Sequence, residues 1–158
     1  MEEQNGVLRE TVIALACNLD DMTAEDIGFA MERLLDGGAL DVYTETIFMK
    51  KNRPGVKLTV LCREAQREKM VKLLFLHTST LGVREQEMTR YALSRRMETV
   101  QTPYGPVRKK TAEGCGVRKE KYEYDDLAAI ARESGLCMAE VRRIAEAQDQ
   151  NAQKTDAI

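Results

Sequence analysis

Apolar and polar positions change their period several times along the 158 residues, and each change marks an expected element. T-V-I-A-L-A-C at 11–17 is a short apolar run with β-branched members and predicts a buried strand. Ile27, Met31, Leu34 and Leu35 then recur at helical spacing. Thr23 is placed to cap that helix, Glu25 and Asp26 suit the positive end of its dipole, and Gly37-Gly38 supplies the stop. Leu40 to Met49, rich in Val, Tyr, Thr, Ile and Phe, reads as a second strand, and K-K-N-R-P-G at 50–55 as a turn. Val56, Leu58, Val60 and Cys62 alternate with Lys57, Thr59, Leu61 and Arg63, the pattern of a half-buried strand. E-A-Q-R-E-K-M-V-K-L-L-F-L at 64–76 predicts a second helix, with Glu68 and Lys72 paired one turn apart. H-T-S-T-L-G breaks it, and 83–93 reads as an extended edge strand.

Strand, helix, strand, strand, helix, strand is the order of the split βαβ, or ferredoxin-like, arrangement. Beyond it, 97–111 predicts a hairpin turning at P-Y-G-P, and E-G-C-G-V-R-K-E-K-Y-E-Y reads as irregular and charged. Two short helices follow, from Asp125 or Asp126 to Glu133 and from Met138 to about Gln148. The expected class is α+β: a ferredoxin-like βαββαβ core with an added β-hairpin and two short C-terminal helices. Residues 1–9 are expected to form a flexible leader, 10–148 one domain, and 149–158, which lack an apolar pattern, a disordered tail.

Charge narrows the possible partners. With 32% charged residues and a net charge of −2, the chain has no general attraction to nucleic acid or to anionic membranes. Any anion site must be a local cluster of bases. No apolar stretch reaches membrane-spanning length, and M-E-E-Q-N-G lacks the character of a signal peptide, so a cytoplasmic location is expected. Cys17, Cys62, Cys115 and Cys137 form no C-x-x-C pair and are expected as free thiols, with Cys115 between two glycines the one candidate ligand. His77 reads as a helix-end residue.

The topology itself makes a prediction. In a ferredoxin-like sheet the end of the first strand, the hairpin between the second and third, and the start of the fourth share one edge. Here those places are N-L-D-D-M, K-K-N-R-P-G and H-T-S-T-L-G-V-R. Carboxylates, a basic turn and a hydroxyl-rich turn ending in an arginine should therefore meet. Hard divalent cations take carboxylate oxygens together with phosphate and water, while Lys and Arg neutralise phosphates. Each piece also has a plain account: helix capping for 20–26, a solvated turn for 50–55, and a helix end for 77–82. No G-x-x-x-x-G-K-[ST] motif is present.

N-L-D-D-M (18–22), G-A-L-D-V-Y (38–43), M-K-K-N-R-P-G (49–55), T-L-G-V-R (80–84), T-P-Y-G-P-V-R (102–108) and K-Y-E-Y-D-D (121–126) occur in that order. Together they resemble the C-terminal domain of the nickel insertion proteins that complete the nickel-pincer nucleotide of lactate racemase. The resemblance covers about residues 10 to 147. It implies a CTP-dependent cyclometallation in which Ni²⁺, the transferred ion, enters pyridinium-3,5-bisthiocarboxylic acid mononucleotide through one metal–carbon and two metal–sulfur bonds. It further implies a homo-oligomer, CTP held with Mn²⁺ or Mg²⁺, and a separate N-terminal domain as partner. On this resemblance Asp20 and Asp21 are candidate metal and catalytic carboxylates. Asn18, Lys50, Lys51, Arg53, Thr80 and Arg84 are candidate nucleotide ligands, and Tyr122 and Glu123 are placed near the nucleotide or substrate. The chain departs from the family at Ala16 and Cys17, where a glutamate and a threonine are common.

Two readings from other classes stand beside this one. Ala131, Gly135 and Val141 have helix-turn-helix spacing, which would set Arg142 and Arg143 against DNA phosphates and make the βαββαβ part a ligand sensor. A non-catalytic metal–nucleotide sensing module is the other.

Overall fold

The computed structural model describes the backbone of residues 2–155 and the side chains of 5–151. Among the described residues there are seven strands and four α-helices: β1 (Glu2–Gln4), β2 (Val7–Leu19), α1 (Ala24–Asp36), β3 (Asp41–Phe48), β4 (Pro54–Cys62), α2 (Arg67–His77), β5 (Arg84–Thr102), β6 (Gly105–Gly114), β7 (Val117–Tyr122), α3 (Tyr124–Ser134) and α4 (Met138–Thr155). The chain divides into two compact units, Arg9–Tyr91 and Glu2–Leu8 together with the chain from Ala92 onward.

The first unit is the expected ferredoxin-like α+β arrangement. Its strands lie in the order β3-β4-β2-β5, with β2 pairing antiparallel to β4 and β4 to β3. Alternation on these strands separates two faces. Ile13, Leu15, Cys17 and Leu19 of β2, Leu58, Val60 and Cys62 of β4, and Val42 pack with Ile27 and Leu34 of α1 and Met70 and Leu74 of α2. Ala14, Ala16 and Asn18 point the other way, opposite Leu61, Thr59 and Lys57. Thr23 caps α1 by accepting from the Asp26 N–H at 3.1 Å, so Asp26 serves the helix start.

The second unit carries β5-β6-β7 and the two C-terminal helices. Val107, Leu127, Ile130, Val141 and Ala145 form its core. The Ala131–Gly135–Val141 spacing has a packing explanation: Val141 is in that core, Ala131 lies against it, and Gly135 ends α3 in the left-handed conformation (φ 74°).

Three segments differ from expectation. Residues 1–9 were expected as a leader, yet Glu2–Gln4 and Val7 onward are strands joined by Asn5 (φ 53°) and Gly6 (φ 73°). Two positive φ values in an Asn-Gly pair make the turn that suits a tight hairpin. Its carbonyls accept from the Ser94 and Cys115 N–H groups at 2.7 and 3.1 Å. The stretch expected to be irregular contains β7, joined to β6 through Cys115 (φ 50°) and Gly116 (φ 73°) in the same kind of turn. The expected tail is helical through Thr155, because α4 continues and Asp149 is anchored to Lys109 at 2.6 Å. Residues 156–158 of that tail lie outside the described residues.

Candidate metal and anion site

Asp20 and Asp21 directly follow Leu19, the last residue of β2, before Thr23 begins α1. The hairpin between β3 and β4 comes close to them because position 55 is glycine. A Cβ at Gly55 would stand 2.9 Å from the Leu19 carbonyl oxygen and 2.9 Å from Met49 Sδ. That approach leaves Arg53 Nη1 3.5 Å from Asp20 Oδ2, with the Arg53 side chain 63% exposed. An ion pair so open to water contributes about 0–1 kcal/mol, so it is easily exchanged for another partner. The same turn holds Lys51 at φ 59° and Asn52 at φ 56°, a left-handed conformation that non-glycine residues seldom adopt.

The third segment arrives from the end of α2. Ser79 Oγ donates to Asp21 Oδ1, and the Ser79 N–H reaches Met22 Sδ at 3.2 Å. At the start of β5, Arg84 Nη2 donates to Asn18 Oδ1 at 2.6 Å. Asn18, Asp20, Asp21, Arg53 and Arg84 thus meet along one rim of the unit, as the strand order requires.

The other expected residues sit differently. Lys50 and Lys51 are exposed on the hairpin with no ion-pair or hydrogen-bond partner among the described residues. The Thr80 hydroxyl turns into its own loop, donating to the Gly82 carbonyl at 2.8 Å, and the Thr80 N–H goes to Thr78 Oγ1 at 3.4 Å. Tyr122 and Glu123 belong to the second unit, where Tyr122 donates to Asp149 at 3.3 Å and Glu123 pairs with Lys110 at 2.9 Å. Ser79 was not singled out from the sequence; its only signal was the hydroxyl-rich H-T-S-T run.

Cys17 lies under this rim on the core face. Burial pushes its thiol up, against hydrogen bonding with Thr78 and Thr80 and the nearby charge of Arg84. It is therefore a protonated thiol at neutral pH and a poor ligand. All four cysteines are free. His77 ends α2 with its ring edge-on to Phe29, the centroids 5.7 Å apart.

Among the described residues no three His, Cys, Asp or Glu side chains converge on one point. A metal site here would have two hard carboxylates on its protein side, with the Ser79 hydroxyl on Asp21 and the Arg53 guanidinium beside Asp20. That donor set suits a small divalent cation whose remaining ligands are phosphate and water oxygens. It does not suit a metal held by protein alone. Among the described residues no helix is long and apolar enough to cross a membrane.

Residues 1–142 match the family described as nickel insertion protein. The pyridinium-3,5-bisthiocarboxylic acid mononucleotide nickel insertion protein of Alkaliphilus metalliredigens is 43% identical over 125 residues, which cover 77% of this chain and 29% of that protein. Its counterpart in Acetivibrio thermocellus is 38% identical over 132 residues, 84% of this chain and 32% of the relative. The chain therefore spans less than a third of the length of these two relatives. Among solved structures, LarC2, described as the C-terminal domain of a cyclometallase involved in the synthesis of the NPN cofactor of lactate racemase, superposes with a TM-score of 0.82 at 37% identity. It covers 90% of this chain and 99% of LarC2. A protein from Methanopyrus kandleri AV19 shares the architecture at a TM-score of 0.67 and 27% identity. With a family match over nearly all its length and an ordered set of shared motifs, this chain belongs to the nickel insertion protein family.

Proposed function

We propose that this chain is the CTP- and divalent-metal-binding part of a cyclometallase that inserts nickel into pyridinium-3,5-bisthiocarboxylic acid mononucleotide. One observation carries the reading: two carboxylates and two arginines from three separate segments meet on one rim of the ferredoxin-like unit. In this reading Asp20 and Asp21 hold Mn²⁺ or Mg²⁺, and Arg53 and Arg84 receive the phosphates. Lys50 and Lys51, exposed on the same hairpin, add long-range attraction for a polyanion. Asn18 holds Arg84 in place.

The rim carboxylates have a second possible task. A nickel–carbon bond at a pyridinium ring carbon replaces a C–H bond, so a base must take the proton. Asp21, released from Ser79, is the base this reading assigns. The reading includes an N-terminal nickel-insertion domain as partner, a homo-oligomeric assembly and a cytoplasmic setting.

The test is nickel incorporation into the pyridinium mononucleotide, followed by mass spectrometry, with this chain supplemented by the N-terminal domain of a relative. Incorporation should require CTP and fall at least tenfold for Asp20→Asn and for Asp21→Asn, in line with the loss of a positioned base or metal ligand. CTP-independent incorporation, or full activity in both variants, contradicts the reading.

A further inference from the structure

We propose that the face of the β5-β6-β7 sheet turned away from α3 and α4 docks an acidic protein surface. Strand register sorts the charges of these three strands. Val107 packs against α3 and α4, and Lys109 and Thr111 share its side of β6. Their cross-strand partners Glu98 and Arg96 on β5, and Glu120 on β7, lie on that side too. The intervening rows point the other way: Arg95 with Ala112 and Lys119, Met97 with Lys110 and Lys121, and Thr99 with Arg108. The open face therefore carries five bases, while Glu98, Glu113 and Glu120 are all on the helix side.

The two faces differ in how their charges are met. On the helix side every base has a carboxylate: Arg96 reaches Glu98 at 2.6 Å, Lys109 reaches Asp149 at 2.6 Å, and Arg118 reaches Glu113 at 3.2 Å. On the open face Lys110 pairs with Glu123 at 2.9 Å and Arg108 with Asp126 at 2.7 Å, both acids coming from the entry to α3. Arg95, Lys119 and Lys121 are exposed and hold no carboxylate among the described residues. β7 ends the strand order, and lysines on an edge strand discourage unwanted pairing. That accounts for Lys119 and Lys121 but not for Arg95, which stands on β5 with β6 between it and the edge. A face that is merely solvated mixes both signs; this one is sorted.

Charge complementarity fixes the sign of the occupant. A second copy of the same face would set bases against bases, which costs affinity, so the face does not pair with itself. The apolar groups on it favour protein over nucleic acid. Met97 is 50% exposed in the middle row and Val117 is 48% exposed at the end of β7, set among the unpaired bases. A protein interface buries such groups within a charged surround, whereas a phosphate backbone offers them no partner. No Phe or Tyr lies on these rows to stack a base. Strands roughly 4.8 Å apart and rows roughly 6.8 Å apart make the face small, so the contact is of the weak, salt-sensitive kind. The inference stands on these strands alone and does not depend on the rim.

Fluorescence anisotropy on the full chain at low salt tests it. The probes are labelled poly-L-glutamate, a glutamate–tyrosine copolymer and duplex DNA, matched in charge. The copolymer should bind tightest, and Lys119→Glu with Lys121→Glu should weaken it about tenfold, the scale of two exposed attractions turned to repulsions. Arg95→Glu, away from the edge, should weaken it about threefold. Arg142→Glu with Arg143→Glu makes the same change in net charge on exposed positions of α4 and should leave binding unaltered. Met97→Ser should remove the copolymer's advantage over polyglutamate and nothing else. All these positions are exposed, so the melting temperature should hold in each variant. Absence of binding by either polymer, or an equal loss in the α4 pair, overturns the proposal. Duplex DNA that binds more tightly than the copolymer and is lost in the lysine pair also overturns it, and gives the face to nucleic acid.

Discussion

In the unit built on β6 and β7, Lys109 is 1% exposed and reaches Asp149 at 2.6 Å, Glu98 at 3.1 Å and Glu120 at 3.7 Å. In the Arg9–Tyr91 unit, Arg53 stands in water and reaches Asp20 only at 3.5 Å. Burial alone would lower the Lys109 pKa, but the hydrogen bonds to Asp149 and Glu98 raise it overall, so the amine stays charged. Burial and the neighbouring Asp149 push Tyr122 up to about 12. A charge enclosed by partners is committed to the fold, because removing any of them leaves the rest buried and unpaired. A loosely paired charge at a rim is available to a ligand. The contrast marks the first network as part of the fold and leaves the second open to the binding role proposed for it.

The largest effect that would break this contrast comes from Lys109→Met. Removing the amine strands Asp149 on a buried helix face and should cost roughly 3–5 kcal/mol in urea unfolding. A loss below about 1 kcal/mol, the range of exposed pairs, would put Lys109 in the same class as Arg53.

Acid should act on the same unit. Hydrogen bonding to Arg96 and then Lys109 holds the Glu98 carboxyl down at about 2 from its ordinary 4.5, and Arg108 lowers Asp126. Both groups bind protons less readily in the folded state, so their contribution is full above the unfolded values and is lost as pH falls through the folded ones. Unfolding free energy, followed by circular dichroism, should therefore decline between pH 4.5 and about 2. In Glu98→Gln that decline should be shallower. An equal slope in the variant would contradict the assignment.

Smaller still is the cap of α1. Thr23→Ala removes the acceptor for the Asp26 N–H and should cost about 1 kcal/mol. It should leave metal and nucleotide affinity unaltered, because the capping group lies on the helix side of the acidic run. A drop in affinity equal to that of Asp21→Asn would merge the two halves of C-N-L-D-D-M-T-A-E-D into one site.

Much of the first unit was legible because its strands and helices each bury one face, so the period of the apolar residues shows. The meeting of residues 18–21, 53 and 84 followed from strand order alone. What was missed has physical reasons. β7, V-R-K-E-K-Y, carries charge on both faces, so no alternation betrays it. The end of α4 is polar, and Asp149 is held by a lysine that looks, in K-K at 109–110, like any surface pair. The Asn5-Gly6 hairpin was readable from its dipeptide, since that pair favours the two positive φ values found there. Thr59 was expected on a half-buried strand; that its hydroxyl is buried without a partner depends on packing, which periodicity does not reveal.

The account turns on the rim, and thermal unfolding of the full chain with Mn²⁺ and CTP tests it most directly. Mn²⁺ and CTP together should raise the melting temperature by several degrees, since a ligand at about 100 times its Kd adds about 2.7 kcal/mol. Asp21→Asn and Arg53→Ala should each reduce that rise while leaving the ligand-free melting temperature nearly unchanged, because the pairs they break are exposed. A melting temperature that does not respond to Mn²⁺ with CTP, or that responds equally in both variants, would contradict the account.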